Sequence, residues 1–386
     1  MFPIPRLLAN TDLFAGPRAL MALRGIGSAR TLLLTGGSLA PHLRHEIKRM
    51  LLAEQVVEVI RPGGGDPDWD GVEGVMGRLS GGMPDLIVAV GGGAVMDLAR
   101  LVMLRIGWPE GEGERLYRPF AAPPLKDNLR LCAIPTTAGS GAEASSSALV
   151  IDRATGTKKA VVTHDFLFDV VLLDPRFLSG IPRPVMMAGV IDAMTHAVEG
   201  FVSNVDNPMA DLLAESALER LGRLGLCWLE DAEDGAVVQE LQFAACLAGM
   251  VQNQCGVGIC HSLAHQLARF GVGHGEANGV FLSRVLEFNS GEDKVARRLE
   301  TLESRIGFSI AQRVGDFQRA GGLAVDLAAL TRRDGIDLST VDPCVLAQDA
   351  LVDICTRFNP RAVTREELVS FWQTSMVPHA NPRGSV

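Results

Sequence analysis

The sequence predicts an α/β N-terminal domain built on a mostly parallel sheet, followed by an all-α C-terminal domain. Two observations carry this. From residue 29 to 106, short apolar runs ending in glycines alternate with amphipathic helical patterns, the βαβα order of a parallel sheet covered by helices. From about residue 186 strand signals nearly vanish and long helical patterns take over. A chain of 386 residues has room for two or three domains at roughly 100–200 residues each. The change of texture after SGIPRPV divides it into residues 1–183 and 184–386.

Each element follows from its pattern. ARTLLLTGG (29–37) is an apolar run closed by glycines and reads as a buried strand. PHLRHEIKRMLLAE (41–54) repeats its apolar residues at helical spacing. VVEVIRPGGG (56–65) is the next strand, and WDGVEGVMGRLSGG (69–82) a glycine-weakened helix. PDLIVAVGGG (84–93) and AVMDLARLVMLRI (94–106) form another strand–helix unit. LRLCAIPTTAGSGAEAS (129–145) is a strand running into a loop of small polar residues, and KKAVVTHDFLFDVVLLDP (158–175) holds two short strands. In the second half, MADLLAESALERLGRL (209–224) and VQELQFAACLAGMVQ (238–252) are amphipathic helices.

Composition narrows the function. Apolar residues at 47% and charged residues at 21% describe a globular enzyme with a large core. A net charge of −9 argues against nucleic acid as the partner, since phosphate backbones need clustered Lys and Arg. The seven cysteines are scattered and form no CxxC pair, which predicts free thiols in a reducing cytoplasm. The N-terminus MFPIPRLLAN is too short an apolar run for a signal peptide, and no uninterrupted apolar run reaches the roughly 18 residues of a membrane span.

Two loops are suited to phosphate. VAVGGGAVMD (88–97) sets Gly91, Gly92, Gly93 and Ala94 between a strand and a helix, where backbone can approach closely and the helix N-terminus offers free N–H groups. It is not a GxGxxG fingerprint, because Met96 stands at the third glycine position. Asp97 is expected in the first helical turn, where a carboxylate favours the dipole. PTTAGSGAEAS (135–145) adds the hydroxyls of Thr136, Thr137 and Ser140. Two such loops on neighbouring strands point to a nucleotide; a pair of tight turns that bind nothing is the alternative.

The other signal is in the histidines. IDAMTHAVEG (191–200) places Asp192 and His196 four apart, on one helix face, and HSLAHQLARFGVGHGEAN (261–278) repeats the spacing with His261 and His265 before His274. A carboxylate with two or three imidazoles suits Fe²⁺ or Zn²⁺, and without thiolates the cation stays Lewis acidic. The small apolar stretch CGVGIC predicts that His261 and His265 are buried, and a buried histidine needs a partner. His42, His45, His164 and His379 lie elsewhere and unpaired, with His42 and His45 on a solvated helix.

In order the chain carries VGGGAVMDLAR, PTTAGSGAEAS, GTKKAV, VVLLDP, IDAMTHAVEG, HSLAHQLARFGVGHGEAN and DICTRFNPR. From about residue 30 to 375 this resembles the iron-containing (group III) alcohol dehydrogenase family. The resemblance implies a dinucleotide-binding α/β domain and a helical metal-binding domain with the metal in the cleft. It implies Asp192, His196, His261 and His274 as ligands of Fe²⁺, with Zn²⁺ as the other option. His265 would lie beside the nicotinamide as a proton relay or a hydrogen-bonding residue. Gly91, Gly92, Gly93, Thr136, Thr137 and Lys158 would contact NADP or NAD.

The implied reaction transfers hydride between nicotinamide C4 and the carbon of a small alcohol or aldehyde whose oxygen binds the metal. The implied protein is a cytoplasmic homo-oligomer, a dimer or larger. Where the family reads GGGS this chain has Ala94; Ser140 and Ala142 replace a Thr and a Ser; Asp66-Pro67 replaces Asn-Pro; and His261 to His274 spans thirteen positions, one fewer than usual. NAD-preferring members carry an Asp after the first βα strand, where this chain has Gly36, followed by Gly37 and Ser38; that leaves room for a 2′-phosphate and predicts acceptance of NADP(H). A dehydroquinate-synthase-like lyase and a non-catalytic relative are the other readings. The lyase would want more Lys and Arg and fewer His ligands.

Overall fold

The structure, a computed structural model, describes residues 6–9, 12–61, 65–111, 113–125, 129–152 and 158–377. The end of the strand expected over 56–65, the Gly156 and Thr157 of GTKKAV, and His379 lie outside the described residues. The chain forms two compact units, Ala9–Ser179, and Gly180–Val386 together with Met1–Leu8.

In the first unit, β1 (Asp12–Ala15), β2 (Ser28–Gly36), β3 (Ala53–Arg61), β4 (Leu86–Gly91), β5 (Arg130–Pro135) and β8 (Val170–Leu173) form one parallel sheet in the order β1-β8-β5-β4-β2-β3. β6 (Ser147–Ile151) and β7 (Lys158–Val162) pair antiparallel as a separate ribbon. α1 (Pro41–Met50), α2 (Trp69–Arg78) and α3 (Gly93–Gly107) are the crossover helices. The central strand β4, LIVAVG, is buried along its whole length, as expected of a strand covered on both faces.

The helix expected over 41–54 stops at Met50. Ala53 already pairs with Ser28 in the ladder between β3 and β2, so the pull of a sheet neighbour outweighs the helical periodicity that continues through Leu51. The edge strand β1, only four residues of DLFA and largely exposed, has no periodicity to announce it. From β2 the chain moves outward to β3, then returns past β2 to β4. The carboxyl ends of β2 and β4 therefore flank the point where the winding reverses, the place where open α/β sheets bind ligands.

The second unit is helical: α4 (Arg183–Val202), α5 (Pro208–Glu230), α6 (Gly235–Cys255), α7 (Ile259–Leu267), α8 (His274–Asn289), α9 (Asp293–Ile306), α10 (Ile310–Gly321), α11 (Leu327–Asp334), α12 (Pro343–Val352) and α13 (Arg365–Thr374). Asn207, Asp234, Asp326, Asp342 and Thr364 cap helix starts with side-chain oxygens, each satisfying backbone N–H groups the helix leaves open. α4 is long and apolar enough by length and composition to cross a membrane. It is instead the core helix of this unit, packed by α5, α6, α8 and α10 and buried from Val190 to Val202. A bend of 109° separates α6 from the segment that begins with α7.

Candidate metal centre and cofactor loops

α4, α7 and α8 bring four of the expected residues together. Asp192 and His196 stand one turn apart on α4; His261 is the third residue of α7; His274 is the first residue of α8. The Nε2 atoms of His196, His261 and His274 lie 3.8, 3.9 and 3.6 Å from Asp192 Oδ1. One ligand atom from each residue fits within a 4.8 Å cluster. A tetrahedron with metal–ligand bonds near 2.0–2.1 Å has edges of about 3.4 Å, so the donors are spaced to close on one cation. The donor set also fits: all four atoms can present lone pairs, and none is a thiolate.

Asp192, His196 and His261 are buried, while the His274 side chain is 30% exposed. The centre is therefore closed on the α4 side and open beside His274. The shortened loop does not carry His274 away: a 3₁₀ turn at Ala268–Phe270 and a left-handed Gly271 (φ 77°) return the chain, and His274 makes the shortest of the three approaches to Asp192.

Gly275 explains the glycine that follows His274. A Cβ there would collide with the carbonyl oxygen of Ala188 and lie 2.7 Å from its carbonyl carbon and 3.1 Å from Asp192 Cβ. Only glycine lets the start of α8 lie against α4 at the turn that carries Asp192.

Three further residues surround the cluster, and the sequence reading did not single them out. Glu199 stands 2.6 Å from His261 Nδ1 and accepts the Cys260 N–H at 2.8 Å. Burial pushes its carboxyl up to about 7, against the lowering effect of the backbone N–H groups of Cys260, Gly258 and His261. Its signal was available: Asp192, His196 and Glu199 form D-x₃-H-x₂-E on one apolar helix face. Asn278, one turn after His274, donates Nδ2–H to Asp192 Oδ1 at 2.8 Å. Asp353, from the DIC motif, bonds His265 Nδ1 at 2.8 Å. Burial alone would raise Asp353, but the charge and hydrogen bond of His265 hold it down at about 2, so it stays ionised.

His265 does not join the four ligand residues. It stacks on the His274 ring at 5.2 Å between centroids, and it is half-buried rather than buried as expected, because α7 turns its face toward Asp353 at the unit's surface. Arg269, at the end of this segment, is held by Asp349 and Gln266.

In the first unit the glycine and threonine residues expected to hold the cofactor lie at the carboxyl ends of β2, β4 and β5. Gly91 ends β4 opposite Pro135 of β5, and Thr136 N–H bonds Gly91 O at 3.1 Å, so the glycine and threonine loops run side by side. A Cβ on Gly91 would lie 2.5 Å from Val95 Cγ2, because α3 folds directly back over the strand end. Gly92 precedes α3 as its N-cap, Gly93 and Ala94 begin the helix, and Gly92 faces the Thr137 side chain. Gly36 closes β2, with Gly37 and Ser38 exposed in the turn beyond. Lys158 starts β7 and pairs with Asp66 at 3.1 Å.

Asp97 is not in the first turn of α3, as the sequence reading had it. The helix starts at Gly93, one turn earlier than a dipole role for Asp97 requires. Its carboxyl, raised by burial and pulled back by Arg100 and Lys158, serves a different purpose. It pairs at 3.2 Å with Arg100, a fully buried arginine that also donates to the carbonyls of Phe166 (2.9 Å), Ser145 (2.6 Å) and Ala142. Arg100 thus ties α3 to the end of the threonine loop. Arg100→Met is expected to destabilise this unit by about 3–5 kcal/mol, since it strands Asp97 and three carbonyls. A thermal midpoint equal to that of the unsubstituted protein would show the tie to be dispensable.

Comparison with known proteins agrees with this fold. The profile of the iron-containing alcohol dehydrogenases matches residues 11–175, and that of the Fe-containing alcohol dehydrogenase family C-terminal region matches residues 186–376. The chain is 32% identical to the probable alcohol dehydrogenase EutG of Escherichia coli K12 over 295 residues, 75% of this chain and 72% of that protein. It is 26% identical to the NADPH-dependent butanol dehydrogenase of Clostridium saccharobutylicum over 96% of this chain and 97% of that one. The iron-containing alcohol dehydrogenase of Thermococcus thioreducens has the same fold, with a TM-score of 0.84 at 25% identity over 97% of this chain and 99% of that one. With a parallel α/β unit, a helical unit and both family regions in place along the chain, this protein belongs to the iron-containing alcohol dehydrogenase family and is an oxidoreductase.

Proposed function

We propose that this enzyme interconverts small alcohols and aldehydes with NAD(P)(H), using one divalent cation held by Asp192, His196, His261 and His274. The observation that carries the reading is the convergence of these four side chains on one point, 3.6–3.9 Å from Asp192 Oδ1 to each imidazole. When bound, the cation supplies Lewis acidity at the substrate oxygen and the nicotinamide supplies or accepts hydride. The family points to Fe²⁺; the same donors also suit Zn²⁺.

The rest is done by this chain. Asp192 contributes the charge that partly neutralises the cation, and the three imidazoles leave it acidic. His265 exchanges the substrate's proton, with Asp353 holding its Nδ1 edge so that Nε2 is the working atom. The open side beside His274 admits substrate. In the α/β unit, Gly91, Gly92, Gly93 and Ala94 lead backbone N–H groups of α3 toward a diphosphate, with Thr136 and Thr137 alongside and Lys158 as the nearby cation. The seven free cysteines accord with a cytoplasmic enzyme, and we take it to be a homodimer, which sedimentation of the purified protein tests.

The 2′-position of the cofactor is read from the turn after β2. Gly36, Gly37 and Ser38 place no carboxylate there, and both Gly37 and Ser38 are exposed. The related butanol dehydrogenase is NADPH-dependent. Oxidation of NADPH with short aldehydes by metal-reconstituted enzyme is the test of the activity. In that assay kcat/KM with NADPH is expected to match or exceed that with NADH. An NADH preference above about 100-fold, roughly 2.7 kcal/mol, overturns the cofactor assignment.

A further inference from the structure

Glu199 lies three residues after His196 and seven after Asp192, on the same face of α4, and it is 2% exposed. Its surroundings are donors. Oε1 accepts the Cys260 N–H at 2.8 Å, and Oε2 accepts the His261 N–H at 3.4 Å and stands 2.6 Å from His261 Nδ1. Both Glu199 oxygens already accept backbone N–H groups, so Nδ1 is the donor of this pair, which leaves the lone pair of His261 on Nε2.

The opposite edge of the ring fits the same tautomer. Asn278 Nδ2, a group that can only donate, lies 3.3 Å from His261 Nε2 and 2.8 Å from Asp192 Oδ1. The orientation of that amide is set by Asp192, whose carboxylate can only accept. With a hydrogen-bonded proton on Nδ1 and an acceptor on Nε2, His261 has one arrangement that satisfies both neighbours. That arrangement leaves Nε2, the ring atom that faces Asp192 and clusters with His196 and His274, as the atom able to bind a cation.

We propose that Glu199 is a positioning residue of the metal centre, fixing His261 in the Nδ1–H tautomer and thereby setting how tightly the cation is held. This rests on the four-ligand reading above. A carboxylate behind a ligating imidazole orients the ring and raises its basicity, and removal of such partners commonly costs 10–100-fold in metal affinity. Glu199 is well placed for this, since its backbone partners lie at the very start of α7 and hold the carboxylate in register with the ring it serves.

The test is zinc affinity by competition with a chromogenic chelator, on the full-length protein stripped of metal, for the unsubstituted enzyme, Glu199→Gln and His261→Ala. Glu199→Gln keeps the shape but loses the charge. It is expected to bind zinc about 10–100-fold more weakly while keeping a cooperative thermal transition in the metal-free protein. Affinity within twofold of the unsubstituted enzyme overturns the role of Glu199. If His261→Ala instead binds zinc as tightly as the unsubstituted enzyme, the ligand set itself is wrong, which is a separate outcome.

Should Glu199→Gln not fold, the unsubstituted zinc-loaded protein labelled with ¹⁵N-histidine decides. Its long-range ¹H–¹⁵N spectrum is expected to contain a strongly downfield Nδ1–H on a ring whose Nε2 carries the metal-induced shift and which persists in Asp353→Asn. Absence of such a ring overturns the proposal.

Discussion

His261→Ala is expected to lose metal and turnover together. The ring is the middle member of the cluster, stacked on His196 at 4.7 Å and 5.1 Å from the His274 ring. Its removal takes one of three imidazoles and leaves Glu199 buried with no ring to receive it. Loss of the Lewis acid removes several kcal/mol of transition-state stabilisation, so kcat/KM should fall by at least about 10³-fold, roughly 4 kcal/mol. Metal analysis of the purified variant and oxidation of NAD(P)H with a short aldehyde check both halves. One equivalent of tightly bound metal with turnover within tenfold of normal would contradict the assignment of His261 as a ligand.

Gly275→Ala should have the largest effect of any single-methyl change near the site. The added carbon has no free direction, because the Ala188 carbonyl and Asp192 Cβ already occupy its place and both belong to the buried core helix α4. α8 must move away from α4, and with it His274 moves away from Asp192. Overpacking of this kind costs about 1–3 kcal/mol, which lowers the thermal midpoint by about 2–12 °C in a unit of this size. Zinc affinity should fall as well, since the shift separates two ligands. Gly273→Ala is the control: a Cβ there meets nothing within 4 Å, and the substitution should be nearly neutral. Equal midpoints and equal zinc affinities for the two variants would show that the close approach at Gly275 is not required.

Much of the fold is legible in the chain because its signals are local. A run such as LIVAVGGG announces both a buried strand and the tight turn beyond it, and the helical half is written in residues recurring at 3.6-residue spacing. Where tertiary partners compete with local preference, the reading slips. The periodicity of α1 runs on through Leu51, yet the helix ends at Met50 and Ala53 already joins the ladder beside β2. Asp97 reads as a helix-start carboxylate yet is the partner of a buried arginine reaching three other segments.

At the site, Asp192 and His196 are legible as a pair, since an acid and an imidazole four apart on an apolar helix share a face whatever the rest of the chain does. The sequence by itself also set out the glycines at the strand ends, where backbone must turn sharply. Spacing alone leaves open which histidine of the HSLAH pair turns toward Asp192; the family resemblance favours His261, and the packing of α7 against α4 turns His261 toward Asp192 and His265 toward Asp353. The partners Glu199, Asn278 and Asp353 are decided at the same level. They act across 62, 86 and 88 residues of chain, and a hydrogen bond at that separation exists only once packing has brought its two ends within 3 Å.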